Sequence, residues 1–345
     1  MKHYWRAFEH GWPRAVAGIA LLLLGLLLLV ATERNVVSQR DVGQRHGGQF
    51  IDLGADARPD SGLYGYMARV SGTPVVVEAP RDVDFNVQAN TPVLTRHVEM
   101  FQWREVRVGG TVHYEMDWAA RPVDSSRFRQ PATHSNPSVF PIQGKQFDAG
   151  SVRLGGFKLS PALLRALPGT ELLPPQAKAL PANLAVSFGE YKDYLVTSEH
   201  PGSPRVGDVR VSWQGVPLQL VTIVARVDGD RLVAATGAAD GNGYSVSVGD
   251  VPLLDAYPDL PQPPTAVLVK RALAVLLAML GMLLLLPEHG ERRDVWLAFA
   301  LGALLAGVVA SALWLTTGTS VLAAWLGVTA LGLAGVFWRQ RRWRS

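Results

Sequence analysis

Four apolar runs, each long enough to cross a bilayer, constrain this 345-residue chain more than any other feature. A hydrocarbon core about 30 Å thick needs roughly 20 apolar residues in helical form. The first run is Ala15 to Thr32, with leucine quartets at 21–24 and 26–29. The others cover 266–286 (apolar from Ala272 to Leu286), 295–315 and 320–338. A purely soluble protein is excluded. A cleaved signal peptide is the competing reading of the first run. The run is long for a signal core and no small-x-small cleavage site follows it, so a retained anchor is expected. No charged residue interrupts the apolar runs, which argues against a proton relay or pump. A passive pore made by several copies stays open.

Orientation follows from Lys and Arg in the short flanking segments. Residues 1–14 carry Lys2, Arg6 and Arg14. The loop 287–294 carries Arg292 and Arg293, and the tail 339–345 carries Arg339, Arg341, Arg342 and Arg344. The short turn 316–319 has no charge. Both termini are therefore expected in the cytoplasm, with 33–250 outside it and a proline-rich stalk at 251–265. Lys270 and Arg271 run against the rule, and their stems are expected to snorkel. The net charge of +4 resides in the cytoplasmic segments, so it signals topology and not a nucleic-acid surface. Seven tryptophans, 5, 12, 296, 314, 325, 338 and 343, lie in or near the spans, and most fit interfacial anchors.

Between the spans, Gly and Pro punctuate short runs rich in Val, Thr, Tyr and Trp, which predicts β structure. Thr95 to Arg107 and Thr111 to Val123 flank Gly109-Gly110, the strongest hairpin signal. Val209, Val211 and Trp213 alternate with Asp208, Arg210 and Ser212, as in a strand with one buried face. Leu218 to Val227 reads as a buried strand, and Asp228-Gly229 as the turn before Arg231 to Ala235. Tyr244, Val246 and Val248 mark another strand. One helix is expected after Ser160 as cap and Pro161, ending at Pro168-Gly169. The fold expected is a multi-pass α-helical membrane protein, with one N-terminal and three C-terminal spans. A β-rich α+β domain is inserted between the first two.

Chemistry is harder to find. The chain has no cysteine, which removes disulfides, thiol catalysis and cysteine zinc sites. None of the eight histidines pairs with another at metal-ligand spacing. Asp82, Asp84 and Asn86 imitate the start of a calcium loop, but Val87 and Val93 stand where it needs Gly and an acid; strand alternation is the better reading. Nucleophile-elbow, phosphate-loop and dinucleotide motifs are all missing. No cofactor, catalytic residue or metal site is expected. In the third span Ala298, Gly302, Ala306 and Ala310 recur every fourth residue, beside Ala303, Gly307 and Ser311. The fourth has Ala323 with Gly327 and Ala330 with Ala334. Small rows let helices approach closely, chiefly within one chain.

The segment Arg96-His97-Val98-Glu99-Met100-Phe101-Gln102-Trp103-Arg104-Glu105 resembles the hallmark string of the LUMA family, also called transmembrane protein 43. Phe101 stands where that family usually has Tyr. Thr32-Glu33-Arg34 looks like the family's acidic turn after the first span. Tyr114, Trp118, Asp124 to Phe128 and Asn136-Pro137-Ser138 look like its central block. Val206 to Trp213, with Gly207, Asp208 and Arg210, then Val221 to Arg226 and Gly229 to Val233, look like its later strands. The resemblance implies a membrane protein without known catalysis that self-associates. In animals such proteins sit in endoplasmic-reticulum and inner nuclear membranes and bind emerin and lamins. Those partners do not carry over to a chain whose Arg, Ala, Gly and Pro bias suggests a GC-rich bacterium, where the inner membrane is expected. The later block is also distantly similar to a membrane-bound mitochondrial ubiquitin ligase, but without cysteine no RING site exists.

The expected function is a non-enzymatic membrane scaffold that self-associates and organises complexes or signalling through its extracytoplasmic domain. Expected partners are a second copy, membrane lipid and an unidentified membrane or extracytoplasmic protein, with no nucleic acid. The alternatives are a passive channel or lipid-handling module, and a cryptic enzyme using Glu99, Glu105, His97 or Asp124. A charge ladder across strands explains the acids more simply, and Trp103 reads as a core aromatic.

Overall fold

The structure is a computed structural model that describes residues 2–239, 241–286, 294–316 and 320–344. In chain order the helices are α1 (Lys2–His46), α2 (Pro161–Arg165), α3 (Ala182–Ala185), α4 (Leu253–Ala256), α5 (Val267–Leu285), α6 (Val295–Trp314) and α7 (Ser320–Arg344). The strands are β1 (Phe50–Gly54), β2 (Met67–Gly72), β3 (Val75–Glu78), β4 (Arg81–Asp82), β5 (Val87–Gln88), β6 (Val93–Val108), β7 (Thr111–Ala119), β8 (Lys145–Asp148) and β9 (Ser151–Leu154). They continue as β10 (Phe157–Leu159), β11 (Glu171–Leu173), β12 (Gly189–Tyr191), β13 (Tyr194–Val196), β14 (Val209–Gly215), β15 (Val221–Asp228), β16 (Arg231–Val233) and β17 (Tyr244–Val248). The chain divides into a helical unit, 1–44 with 257–345, and a β unit, 45–256.

In the helical unit, four helices are long and apolar enough to span a membrane, one N-terminal and three C-terminal. Close approaches at glycine show how they pack. A Cβ on Gly25 would lie 2.7 Å from the Ala274 carbonyl, and one on Gly281 would lie 2.7 Å from the Gly18 carbonyl. Thus α1 runs antiparallel to α5. Gly302 abuts Met279, Gly307 abuts Thr329 and Gly332 abuts Leu304, so α6 continues the up-and-down order between α5 and α7. The starts of α1 and α6 and the ends of α5 and α7 share one end of the unit. Leucines such as Leu27, Leu268 and Leu331 point outward, as a lipid-facing surface requires.

The first helix does not stop at Thr32 but continues to His46. Thr32-Glu33-Arg34 is therefore helical and not a turn. Its two buried residues, Thr32 and Glu33, face other helices of the unit, so packing carries the helix on after the apolar run ends. The stalk region 251–265 includes the short helix α4 and is not wholly extended. The uncharged turn falls mostly at 317–319, and the basic loop at 287–293, outside the described residues.

The β unit holds two main sheets. One runs β1-β2-β15-β16-β10-β9-β3, with β17 also on β15; the other runs β12-β13-β14-β6-β7, with β11 on β14 and β8 on β6. Every residue of β15 but Arg226 and Asp228 is buried, as its continuous apolar run predicts. It centres a core with Val70, Leu154, Phe157, Leu163 and Leu232. The second core gathers Phe85, Leu94, Val98, Met100, Leu195, Val209, Val211 and Trp213. The hairpin forms where expected. Val108 pairs with Thr111 across Gly109 and Gly110, whose φ of 57° and 85° suit a type I′ turn. The helix after Ser160 is shorter than expected, five residues. Pro161 starts it, but the Ser160 hydroxyl makes no capping bond.

Candidate functional site

The hallmark segment lies on β6, and strand alternation divides its side chains. Arg96, Val98, Met100 and Gln102 point inward and are buried, whereas His97 is exposed and Glu99, Phe101, Trp103 and Glu105 lie partly open. The inward charge is met by a tight turn. β4 and β5 bracket Val83 to Asn86, with Asn86 at φ 55°, so Asp82 ends the short strand β4 and Asp84 sits in the hairpin turn after it. The turn aims both carboxylates at Arg96. Its Nη1 donates to Asp82 Oδ1 at 2.8 Å and to Asp84 Oδ2 at 3.0 Å. Trp213 Nε1 donates to Asp82 Oδ2 at 3.0 Å. The guanidinium also lies over the Phe85 and Phe147 rings.

Gln102, fully buried, replaces missing strand partners. Its Nε2 donates to the Arg121 carbonyl at 3.0 Å, and its Oε1 accepts from Val123 N–H at 2.8 Å. Asn136 does the same for Trp103. Asn136 Oδ1 accepts from Trp103 N–H at 2.7 Å and its Nδ2 donates to the Trp103 carbonyl at 2.9 Å. On the outward side Trp103 meets His134 edge-on, and His134 stacks on Tyr114 with ring centroids 3.6 Å apart. Glu105 accepts from Tyr114 Oη and from Arg129 N–H. The Arg129 N–H chiefly, then Tyr114 and Arg107, hold the Glu105 carboxyl below its ordinary value. Loss of surrounding water first, and Glu105 second, raise the Tyr114 phenol. Asp124 accepts from Ser126 N–H and Oγ, which lowers its carboxyl too. Gly207, at φ 98°, lies beside Pro137. Its N–H donates to the Phe101 carbonyl at 2.9 Å, while Phe101 N–H donates to the Asp208 carbonyl at 2.8 Å. Asp208 Oδ2 accepts from Arg205 N–H at 2.7 Å. The acids considered as catalytic groups are thus each engaged by a neighbour.

One place on this sheet is open. Arg210 stands opposite Glu99 across β14 and β6, and its Nε donates to Glu99 Oε2 at 2.6 Å. Its guanidinium carbon lies 4.6 Å from the Trp118 ring centre and 4.5 Å from that of Tyr194. Phe101 packs against Trp118 at 5.3 Å. Arg210, Trp118, Tyr194 and Phe101, with Tyr191, Pro201 and Pro204, line a cleft of about 400 Å³. A polar hollow of about 240 Å³, with Glu199, His200, Ser203, Arg205 and Asp208, adjoins it through Ser198. Among the described residues no cluster of His, Asp and Glu could hold a metal. Phe101, Trp118 and Arg210 were legible as motif residues; Tyr191, Tyr194 and the two prolines were not, because they sit in short segments without periodicity.

In the helical unit, Ala298, Gly302, Ala306, Gly307 and Ala310 are buried, and Gly327 is exposed with nothing within 4 Å of where a Cβ would stand. The α1–α5 contact depends on Gly18, Gly25 and Gly281, whose spacing makes no four-residue row in the sequence. The same unit holds a buried ion pair. Glu33, fully buried, accepts from Arg271 Nε at 2.6 Å and Nη2 at 2.7 Å, and from Trp314 Nε1 at 2.8 Å. Arg271 therefore pairs instead of snorkelling, and Trp314 is an interior donor; Trp12, Trp296 and Trp338 remain outward-facing. The pair belongs to the helices, so the spans are not as charge-free as their apolar runs suggest.

A family model described as "Transmembrane protein 43" matches residues 100–328, more than half of the chain. The "Transmembrane protein 43 homolog" of Drosophila melanogaster is 27% identical over 264 residues, 72% of this chain and 66% of that protein. "Transmembrane protein 43" of Rattus norvegicus and that of Homo sapiens are each 29% identical over 195 residues, 50% of this chain and 46% of theirs. The chain thus spans from under half to about two thirds of the length of these relatives. No solved structure matches. The matched stretch runs from the middle of β6 into α7, through the hairpin, the cleft and two further membrane helices, and the chain belongs to the transmembrane protein 43 (LUMA) family.

Proposed function

We propose that this integral membrane protein is a non-enzymatic scaffold that self-associates and docks other polypeptides through its β unit. The cleft beside Arg210 carries this reading. Trp, Tyr and Arg are the residues that dominate protein interfaces, and here they line an open cleft. The other ionisable groups of the hallmark segment, His97 apart, are engaged in holding the fold, which leaves little for catalysis. The relatives are named as transmembrane proteins and not as enzymes. With the basic segments in the cytoplasm, both termini lie inside and the β unit faces the periplasm or exterior, or a lumen in a eukaryote.

Self-association has its own support on α7. Ala323, Gly327, Ala330 and Ala334 form an exposed stripe of small residues, spaced for a second helix to approach. The test is crosslinking in intact membranes, followed by mild extraction and the mass of the complex, for the natural chain and for Trp118→Ala. A homo-oligomer whose co-purifying polypeptide is lost in the variant is expected. A lone monomer in both would sink the scaffold reading.

A further inference from the structure

We propose that the cleft is a receptor for one carboxylate of a partner polypeptide, held by Arg210 beside an apolar side chain seated among Trp118, Tyr194 and Phe101. This rests on the docking reading above and names what docks. The Arg210 side chain is only 23% exposed. Its single hydrogen bond, through Nε to Glu99, leaves both Nη groups without a hydrogen-bond partner among the described residues. Those Nη groups are not sealed from water, so they stand open to an acceptor that enters the cleft. The two rings fix its plane, so little side-chain freedom is left to lose on binding. A planar fork with free N–H groups matches a carboxylate.

Charge selects among anions. Glu99 contributes one negative charge at 2.6 Å from the same guanidinium, and Lys192 on the rim contributes one further positive charge. With Glu199, Asp208 and Arg205 of the adjoining hollow counted, the charges about balance, which opposes a dianionic phosphate more than a monoanion held by the fork. The aromatic walls suit an extended peptide, since aromatic-lined grooves receive proline-rich and extended chains. A carboxylate with an adjoining apolar group satisfies fork and walls together.

The experiment uses the full chain in nanodiscs with two small probes, indole-3-propionate and indole-3-propionamide, which differ only in the charged group. The carboxylate is expected to bind about tenfold more tightly or better, the usual worth of a charge-assisted hydrogen bond. Arg210→Lys, which keeps the cation and loses the fork, is expected to narrow the gap between the two probes. A photo-reactive residue at Tyr191 in intact membranes is expected to trap a polypeptide, displaced by the carboxylate probe and not by the amide. Equal binding of the two probes by the natural chain overturns the proposal without calling on any variant. So does displacement by inorganic phosphate as effective as by the carboxylate. A trapped polypeptide that ignores both the carboxylate and Arg210→Lys also overturns it, while leaving the scaffold reading intact.

Discussion

Asp82→Ala tests the inward half of the hallmark segment. Asp82 is fully buried and accepts three hydrogen bonds, two from Arg96 Nη1 at 2.8 and 3.0 Å and one from Trp213 Nε1 at 3.0 Å. Removing it leaves Arg96, 4% exposed, with the more exposed Asp84 and the Gln143 carbonyl. It also leaves Trp213 Nε1–H without a partner. Breaking one side of a buried pair costs about 3–5 kcal/mol. An orphaned buried donor adds about 1–3 kcal/mol, and the surviving Asp84 contact offsets part of the total. We expect a loss of about 3–5 kcal/mol, or a Tm lower by roughly 6–20 °C for a unit of this size. Asp82→Asn, which keeps an acceptor for Trp213, should cost less. Adding Arg96→Met to Asp82→Ala removes the stranded charge and should restore part of the stability. Pulse proteolysis in urea on the detergent-solubilised full chain, with near-UV dichroism for the Trp213 environment, measures each variant. A loss below about 1 kcal/mol for Asp82→Ala, or no recovery on adding Arg96→Met, would refute the argument that this carboxylate neutralises the strand.

In the helical unit, Glu33→Ala strands Arg271 and Trp314, and a loss of about 3–5 kcal/mol is expected. Glu33→Leu with Arg271→Leu should recover most of it, read as thermal stability in nanodiscs. Gly281→Ala would place a Cβ 2.6 Å from Leu22 N and should cost about 1–3 kcal/mol by overpacking α1 against α5. Gly327→Ala meets open space and should gain about 0.5–1 kcal/mol in an isolated chain, measured by the same melts. The depressed carboxyls of Glu105 and Asp124 give the 120–136 loop a pH response. Their stabilisation is complete above the unfolded values, about 4.3 for Glu and 3.9 for Asp. It is lost as pH falls through the lower folded values. Pepsin should therefore cut near Phe128 faster as pH drops below about 4, and Glu105→Gln should flatten that dependence.

What could be read from the sequence was what local periodicity encodes. Val209, Val211 and Trp213 face the core as their alternation predicts, and Gly109-Gly110 closes the expected hairpin. What could not be read depended on partners far along the chain. Asp82 on a strand and Asp84 in the turn after it look alike in the sequence until Arg96 is placed between them, because a four-residue turn and a short strand share that pattern. Glu33 and Arg271 each look like an interfacial charge at the edge of an apolar run. Only helix pairing across 238 positions makes them one buried group. The cleft was half legible. Phe101, Trp118 and Arg210 stand on long strands, but Tyr194 and Pro201 come from a short strand and a loop whose course is set by tertiary contacts.

The alternation of β6 separates two kinds of constraint along ten residues. Inward positions answer to buried partners, so nearly any change there disturbs the fold. Outward positions next to the cleft answer, under the proposed docking role, to a partner, so they can change without unfolding the unit. Phe101, where the family usually has Tyr, sits on the outward side against Trp118 at 5.3 Å and borders the open cleft. Phe101→Tyr adds a hydroxyl that can reach water, and it should alter stability by no more than about 0.5 kcal/mol. Gln102→Ala, one residue on, removes a fully buried side chain that bonds the half-buried Val123 N–H and the Arg121 carbonyl. It should cost about 1–3 kcal/mol in all. Urea titration of the two variants side by side decides the matter. If Phe101→Tyr destabilises the chain as much as Gln102→Ala, then the two faces of the strand are not separately constrained, and the cleft is part of the core's packing and not a surface free to bind.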